Sequence, residues 1–253
     1  MESVGKKLAV LCDYRLMPER VGGMDRFFWL FDTVCKNQGL EVVWFFPNYS
    51  QQEGYSQLTI LPANGKSIEQ SFLDYNQTFD VVFTHFLELC TPFCQEAKKL
   101  QLAKKIIAVD HNPRPFKGYP LKKRIQKRVK GLLYSRYIDL FVGVSQYTVN
   151  EIIKDFGSHL TRKSLVVYNG IAYEKFIKRA NRNSIKPTFL VACHLRYSKG
   201  IQDLIDAVAL LPENILEQLQ IDVYGEGEFQ PVLENKIKEN NLLENFIFKG
   251  SVP

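Results

Sequence analysis

A chain of 253 residues with 45% hydrophobic content is long enough for one large or two small domains with real cores, and composition excludes a disordered or fibrous protein. No apolar run approaches the ~20 residues of a membrane span, and the leading Met-Glu-Ser-Val-Gly-Lys-Lys meets a short strand followed by Asp and Arg, so no signal peptide is expected. The net charge of +6 is local: nine basic residues and no acidic one lie between Arg114 and Arg136, and the remaining 24 basic residues face 27 acidic ones, which excludes a general polyanion binder.

Strands and helices alternate along the chain. Leu8–Cys12 reads as a strand, and Gly22 and Gly23 precede a helix over Asp25–Lys36 with Phe27, Phe28, Leu30, Phe31 and Val34 inward. Glu41–Phe46 is a strand closed by Pro47, Leu58–Leu61 a short strand, and Ile68–Tyr75 a weak helix. Phe79–Thr84 is a strand, Leu87–Leu100 a helix, Lys105–Val109 a strand and Leu121–Tyr137 a basic helix. Asp139–Val144, Gln146–Phe156 and Leu165–Tyr168 read as strand, helix and strand. A polar, aperiodic stretch from Arg179 to Pro187 reads as a linker. Alternation then restarts with a strand over 188–192, a helix over 200–211, a strand over Leu219–Tyr224, a helix over Glu228–Asn240 and a strand over Asn245–Phe248. The pattern implies parallel sheets covered on both faces: a Rossmann-like domain over 1–180, a linker over 181–187 and a shorter unit over 188–253, about half such a domain. The odd count of cysteines (Cys12, Cys35, Cys90, Cys94, Cys193) and their apolar settings point to reduced core thiols in a cytoplasmic protein. Cys90 and Cys94 are spaced for one helix face, not for zinc.

Four places carry chemistry. The apolar strand 189–192 feeds His194, Arg196 and Lys199 into a loop, and Gly200 opens a helix, so free amides, the positive helix end and the cations together suit a phosphate. Gly22 and Gly23 either let backbone amides approach a ligand or form only a tight turn. His85 and His111 each follow a strand, at the carboxyl edge where open α/β sheets bind ligands, and His111 is followed by Asn and Pro. On the basic helix, Leu121, Ile125, Val129, Leu132 and Leu133 share one face and Lys123, Lys127 and Lys130 lie opposite. Two readings of it stay open. It is a solvated face over an ordinary core contact, or a patch (Lys122, Lys123, Lys127, Lys130) that docks an anionic membrane or a lipid phosphate. Gly-x-Gly-x-x-Gly is absent, which weakens a nicotinamide reading, and no stacking pattern supports nucleic acid.

The order of these motifs resembles glycosyltransferase family 4, of GT-B fold. Leu195, Lys199 and Gly200 match the family's donor loop, with Cys193 and His194 where it has Gly and Arg; Arg196 is placed to substitute. Gly22-Gly23, His85, His111, Ser145 with Thr148, Asn169-Gly170 and Gly225-Glu-Gly227 fall at the family's positions, with Phe83 in place of its first strand-end His. The resemblance implies retaining transfer of a sugar from a nucleotide diphosphate sugar to a hydroxyl acceptor, in cell-surface polysaccharide or glycolipid synthesis, without a metal or other cofactor. Lys199 and Arg196 would hold the diphosphate, Gly22, Gly23, Gly225 and Gly227 would line the donor, and His111 would line the reaction centre. His85 and His194 would be cleft residues. It implies a cytoplasmic protein, peripheral at the inner membrane face, with a lipid-linked acceptor among the alternatives. The family's Glu-x7-Glu motif is not present before Pro253, so the second unit is expected to be truncated and the chain alone to transfer little sugar. The alternative is a non-catalytic or split-enzyme subunit that binds acceptor or a partner chain without turnover, the partner being a complementary C-terminal chain that covers the open sheet.

Overall fold

The computed structural model describes residues 6–18, 21–112, 114–115, 117–170 and 188–251. Two compact units, Met1–Tyr173 and Glu174–Pro253, make up the chain. The linker expected at 181–187 lies outside the described residues.

The first unit runs β1 (Lys7–Cys12), α1 (Gly23–Asn37), β2 (Glu41–Phe46), β3 (Thr59–Pro62), α2 (Ile68–Tyr75), β4 (Phe79–His85), α3 (Pro92–Lys99), β5 (Ala103–Asp110), α4 (Leu121–Tyr134), β6 (Leu140–Gly143), α5 (Gln146–Phe156) and β7 (Ser164–Val166). Its seven strands are all parallel, in the order β3-β2-β1-β4-β5-β6-β7. The near-continuous apolar strands follow from burial on both faces. Alternation sends Leu8, Val10 and Cys12 of β1 to one core with Phe28, Trp44 and Phe46, and Ala9 and Leu11 to the other with Phe45, Phe72 and Phe156. Edge-to-face pairs such as Phe28–Trp44, 5.4 Å between centroids, lock the first core, each contributing about 0.5–1.5 kcal/mol beyond area burial. The strand order reverses between β1 and β4, so their carboxyl ends open a crevice.

Three helices differ from the expectation. In α1 the buried residues are Asp25, Phe28, Asp32 and Cys35, while Leu30 and Val34 are exposed. The reason is polar: Asp25 accepts hydrogen bonds from Tyr14, Tyr55 and the Gly22 amide, and Asp32 from the Trp44 indole. α3 begins at Pro92, not Leu87, because Phe86 and Cys90 take left-handed φ of 61° and 56°, which breaks a helix before it starts. Cys90 and Cys94 therefore share no helix face. In α4 the inward and outward faces are exchanged. Lys127 and Gly131 are buried, whereas Leu121, Ile125, Val129, Leu132 and Leu133 are all exposed. Gly131 lies against the last turn of α5, where a Cβ would come within 2.1 Å of the Phe156 carbonyl oxygen. Lys127 turns inward because Asp155 lies 3.0 Å away and the Tyr119 and Phe156 rings receive its ammonium.

The second unit contains β8 (Thr188–Ala192), α6 (Ile201–Ala209), the single turn α7 (Glu213–Leu216), β9 (Gln220–Tyr224), α8 (Gln230–Glu239) and β10 (Phe246–Gly250). Its strands are parallel in the order β10-β9-β8, over a core of Leu195, Ile205, Ile221, Val223, Leu233 and Ile237. β8 is an edge, and Phe189 and Leu190 on it are exposed. All five cysteines are free; burial pushes the Cys90 and Cys94 thiols up to about 12 and 11, which makes them inert packing groups.

Candidate active site

In the first unit the sequence places reactive groups on adjacent strand ends. β4 and β5 pair with His85 opposite Val109, so His111, immediately after the last residue of β5, emerges beside His85. The His85 Nδ1 and His111 Nε2 atoms lie 2.9 Å apart, one ring donating to the other. Phe86 stacks on His111 at 4.5 Å, and Phe27 of α1 packs against His85 at 5.8 Å. His85 is buried, which lowers its pKa to about 3 with His111 adding to the shift. Burial also lowers the pKa of His111, against the opposing charge of Asp110. Both rings are thus neutral near pH 7, and Nδ1 of His111 has no hydrogen-bond partner among the described residues.

The loop after β5 is braced by charge. Asp110 accepts hydrogen bonds from the Asn112 amide at 2.9 Å and from Arg114 at 2.7 Å. Arg114 also donates to Asp155 at 2.8 Å and to the Asn112 carbonyl, and Asp155 is shared with Lys127. Burial opposes the charge of Arg114, but the hydrogen bond to Asp110 and the charges of Asp110 and Asp155 raise its pKa. This network and the Phe86 stack were missed from sequence; the signal available was Asp110 directly before His111, with Arg114 four residues on. A cavity of about 270 Å³ beside the loop is lined by Phe86, Asp110, Asn112, Arg114, Lys123 and Lys127.

Gly22 and Gly23 begin α1, the helix whose Phe27 packs against His85. Gly22 is the N-cap, and its amide donates to Asp25 Oδ2 at 2.8 Å. A Cβ on Gly23 would meet nothing within 4 Å among the described residues, so no contact seen there demands glycine. Among the described residues no group of three or more His, Cys, Asp or Glu is arranged to hold a metal.

In the second unit the loop between β8 and α6 carries Cys193, His194, Leu195, Arg196 and Lys199, with Leu195 fully buried and His194, Arg196 and Lys199 exposed. Leu195 anchors the loop in the core while its neighbours face solvent. A short 3-10 turn, Tyr197–Lys199, leads to Gly200 at a φ of 71°, which caps α6. The β9–α8 loop packs on it backbone to backbone: the Cys193 amide donates to Tyr224 and the Leu195 amide to Glu226, at 3.1 and 3.0 Å. A Cβ on Gly225 would come within 1.9 Å of the Cys193 carbonyl oxygen, and one on Gly227 within 2.3 Å of that of Leu195. These glycines are needed first for the contact between the two loops. Neither Arg196 nor Lys199 has an acidic partner among the described residues, so both charges are available to an anion.

The structure thus pairs His85 with His111, and joins the Lys199 loop to the Gly225–Gly227 loop. It draws Lys127 and Lys130 into pairs with Asp155 and Glu88, and leaves Lys122 exposed and Lys123 over the Tyr119 ring. Of the four lysines expected to form a patch, Lys127 is the one withdrawn into the fold.

Solved structures share this architecture. The Anabaena protein Alr3699/HepE, solved in complex with UDP, aligns with a TM-score of 0.73 and 13% identity over 98% of this chain and 69% of that one. A glycosyltransferase from Rickettsia africae aligns at 0.66 and 14% identity over 98% and 68%. The lipopolysaccharide outer core galactosyltransferase WaaB aligns at 0.65 and 15% over 97% and 68%. At these identities the likeness shows a GT-B fold. No functionally curated protein matches the chain by sequence. Residues 172–253 match the model described as Glycosyl transferases group 1, and residues 21–175 match that of Glycosyltransferase Family 4. The second match alone covers more than half of the chain, which belongs to glycosyltransferase family 4.

Proposed function

We propose that the protein transfers a sugar from a nucleotide diphosphate sugar to a hydroxyl acceptor with retention at the anomeric carbon, in the synthesis of a cell-surface polysaccharide or glycolipid. The bond from the anomeric carbon to the diphosphate breaks, a bond to the acceptor oxygen forms on the same face, and the acceptor's proton leaves with the diphosphate. The observation that carries this reading is the pair Arg196 and Lys199, exposed and without an acidic partner among the described residues, on a loop anchored by Leu195 and by the glycine contacts of the β9–α8 loop. Cations fixed where negative charge develops on a leaving diphosphate lower the barrier without reorganising. Gly225 and Gly227 line the donor beside them, and Gly22 and Gly23 offer helix-start amides. His111 contacts the transferring sugar as a neutral hydrogen-bonding group, because His85 engages its Nε2 and leaves Nδ1 for substrate. His85 and His194 are the further cleft residues. HepE was solved with UDP and with UDP and glucose, which supports a nucleotide-sugar donor.

Nucleoside diphosphate release from a panel of nucleotide sugars, with and without hydroxyl acceptors, tests the reading. Whatever release the chain gives, low by the expectation from its missing Glu-x7-Glu motif, should fall about a hundredfold in Lys199→Ala, the usual effect of removing one group that stabilises transition-state charge. Turnover untouched by Lys199→Ala contradicts the assignment. Donor binding without release under any acceptor would make the chain a binding subunit instead.

A further inference from the structure

We propose that Phe86 is a positioning residue, whose ring pins the His111 imidazole against His85 so that the imidazole meets the substrate in one fixed orientation. This rests on the reading of His111 as the group that contacts the transferring sugar, and adds the residue that sets how that group is held. Phe86 takes a φ of 61°. A bulky side chain keeps that left-handed conformation only where its surroundings enforce it. Here they act from both sides. The His85 carbonyl accepts a hydrogen bond from the Asp13 amide at 3.1 Å, which carries the β1–β4 pairing to the last residue of β4. Beyond Phe86, Leu87, Leu89 and Cys90 are buried in the core that holds Phe45 and Phe72. The turn at Phe86 satisfies both anchors and sends its own ring to the other core, that of Phe28 and Trp44. Glycine would make this turn without strain, so the turn alone does not account for a phenylalanine.

The ring contacts account for it. Phe86 stacks on His111 with centroids 4.5 Å apart and planes at 22°. The hydrogen bond to His85, 2.9 Å from Nε2 to Nδ1, holds the imidazole at one atom, and the stack holds its plane. Together they stop the rotation that either contact alone would allow. Phe86 is itself backed by Tyr14, at 5.9 Å and 34°. The Tyr14 hydroxyl donates to Asp25 Oδ2 at 3.1 Å, and the fully buried Asp25 carboxylate also accepts from Tyr55 and the Gly22 amide. α1 therefore braces the histidine pair twice, through Asp25, Tyr14 and Phe86 at His111 and through Phe27 at His85. Phe86 is only half-buried, and it lines a cavity together with Asp110 and Asn112, the two neighbours of His111. Its ring is thus a wall of the site. Orientation is what such a wall supplies, since a displacement of about 1 Å at a reacting group can cost about a hundredfold in rate.

Histidine titration followed by NMR, with nucleoside diphosphate release and binding measured beside it, tests the proposal in Phe86→Leu, Phe86→Gly and Phe86→Tyr of the full chain. Phe86→Leu keeps bulk but has no flat face. Losing the stack uncovers His111, whose pKa burial lowers against the charge of Asp110, so that pKa should rise toward 6.5. The kcat of whatever release the wild type gives should fall about tenfold or more. The Kd for nucleoside diphosphate should stay within about twofold, because the Lys199 loop is assigned to that ligand. Phe86→Gly takes the turn without strain and gives a folded variant where Phe86→Leu does not; it should show the same changes. Phe86→Tyr keeps the stack and should match the wild type. A His111 titration unchanged in both Phe86→Leu and Phe86→Gly overturns the proposal, and so does a titration that moves while kcat does not. A wild type that releases no nucleoside diphosphate from any donor refutes the transfer reading instead, and the titration alone then decides whether Phe86 holds His111.

Discussion

The paired histidines make the site sensitive to acid. His85 titrates near 3 in the folded protein and near 6.5 when unfolded, so between these values the unfolded chain binds more protons. Its contribution is therefore complete above pH 6.5 and is lost as pH falls toward 3, by up to about 5 kcal/mol. Thermal unfolding from pH 7 to 4 should show this slope, and His85→Asn should flatten it while lowering the whole curve; an equal slope in the variant would remove the linkage. The glycines separate into two kinds. Gly225→Ala forces a Cβ to within 1.9 Å of the Cys193 carbonyl at a φ of 126° and should cost about 2 kcal/mol or more in chemical denaturation. Gly23→Ala, with nothing within 4 Å of the added Cβ among the described residues, should leave the denaturation midpoint unchanged; a loss of about 1 kcal/mol or more would show a contact there.

Among elements, α4 and α5 depend on one carboxylate. Asp155 serves Arg114 and Lys127 together, so Asp155→Asn should cost about 3–5 kcal/mol, whereas Glu88→Gln at the exposed Lys130 pair should cost under about 1 kcal/mol. Because Arg114 braces the loop after β5, Asp155→Asn should also shift the His111 ring signals in NMR; unchanged signals would detach the network from the site. The strands were legible because burial on both faces makes them continuous apolar runs, as in Val42–Phe46. The helix orientations were not. Periodicity shows that α4 is two-faced but not which face meets the protein, and the deciding partners, Asp155 and Phe156, lie far along the chain. The buried Asp25 and Asp32 of α1 were hidden likewise, since their partners Tyr55 and Trp44 come from other elements. His85 and His111 were visible as strand-end histidines, yet their contact needed the β4–β5 register.

At the scale of the whole molecule, two α/β units carry separate parts of one proposed reaction: a neutral histidine pair in the first and exposed cations in the second. No helix among the described residues is long and apolar enough to cross a membrane. The donor assignment rests on the Lys199 loop, and binding tests it apart from turnover. Calorimetric titration of the full chain with a panel of nucleoside diphosphates is the most direct measurement. The account predicts saturable binding of at least one, weakened about tenfold or more by Lys199→Ala, in line with a charge-assisted contact of about 1.5–3 kcal/mol. Arg124→Gln on α4 should leave it unchanged. Failure of every nucleoside diphosphate to bind, or binding that Lys199→Ala does not alter, would contradict it.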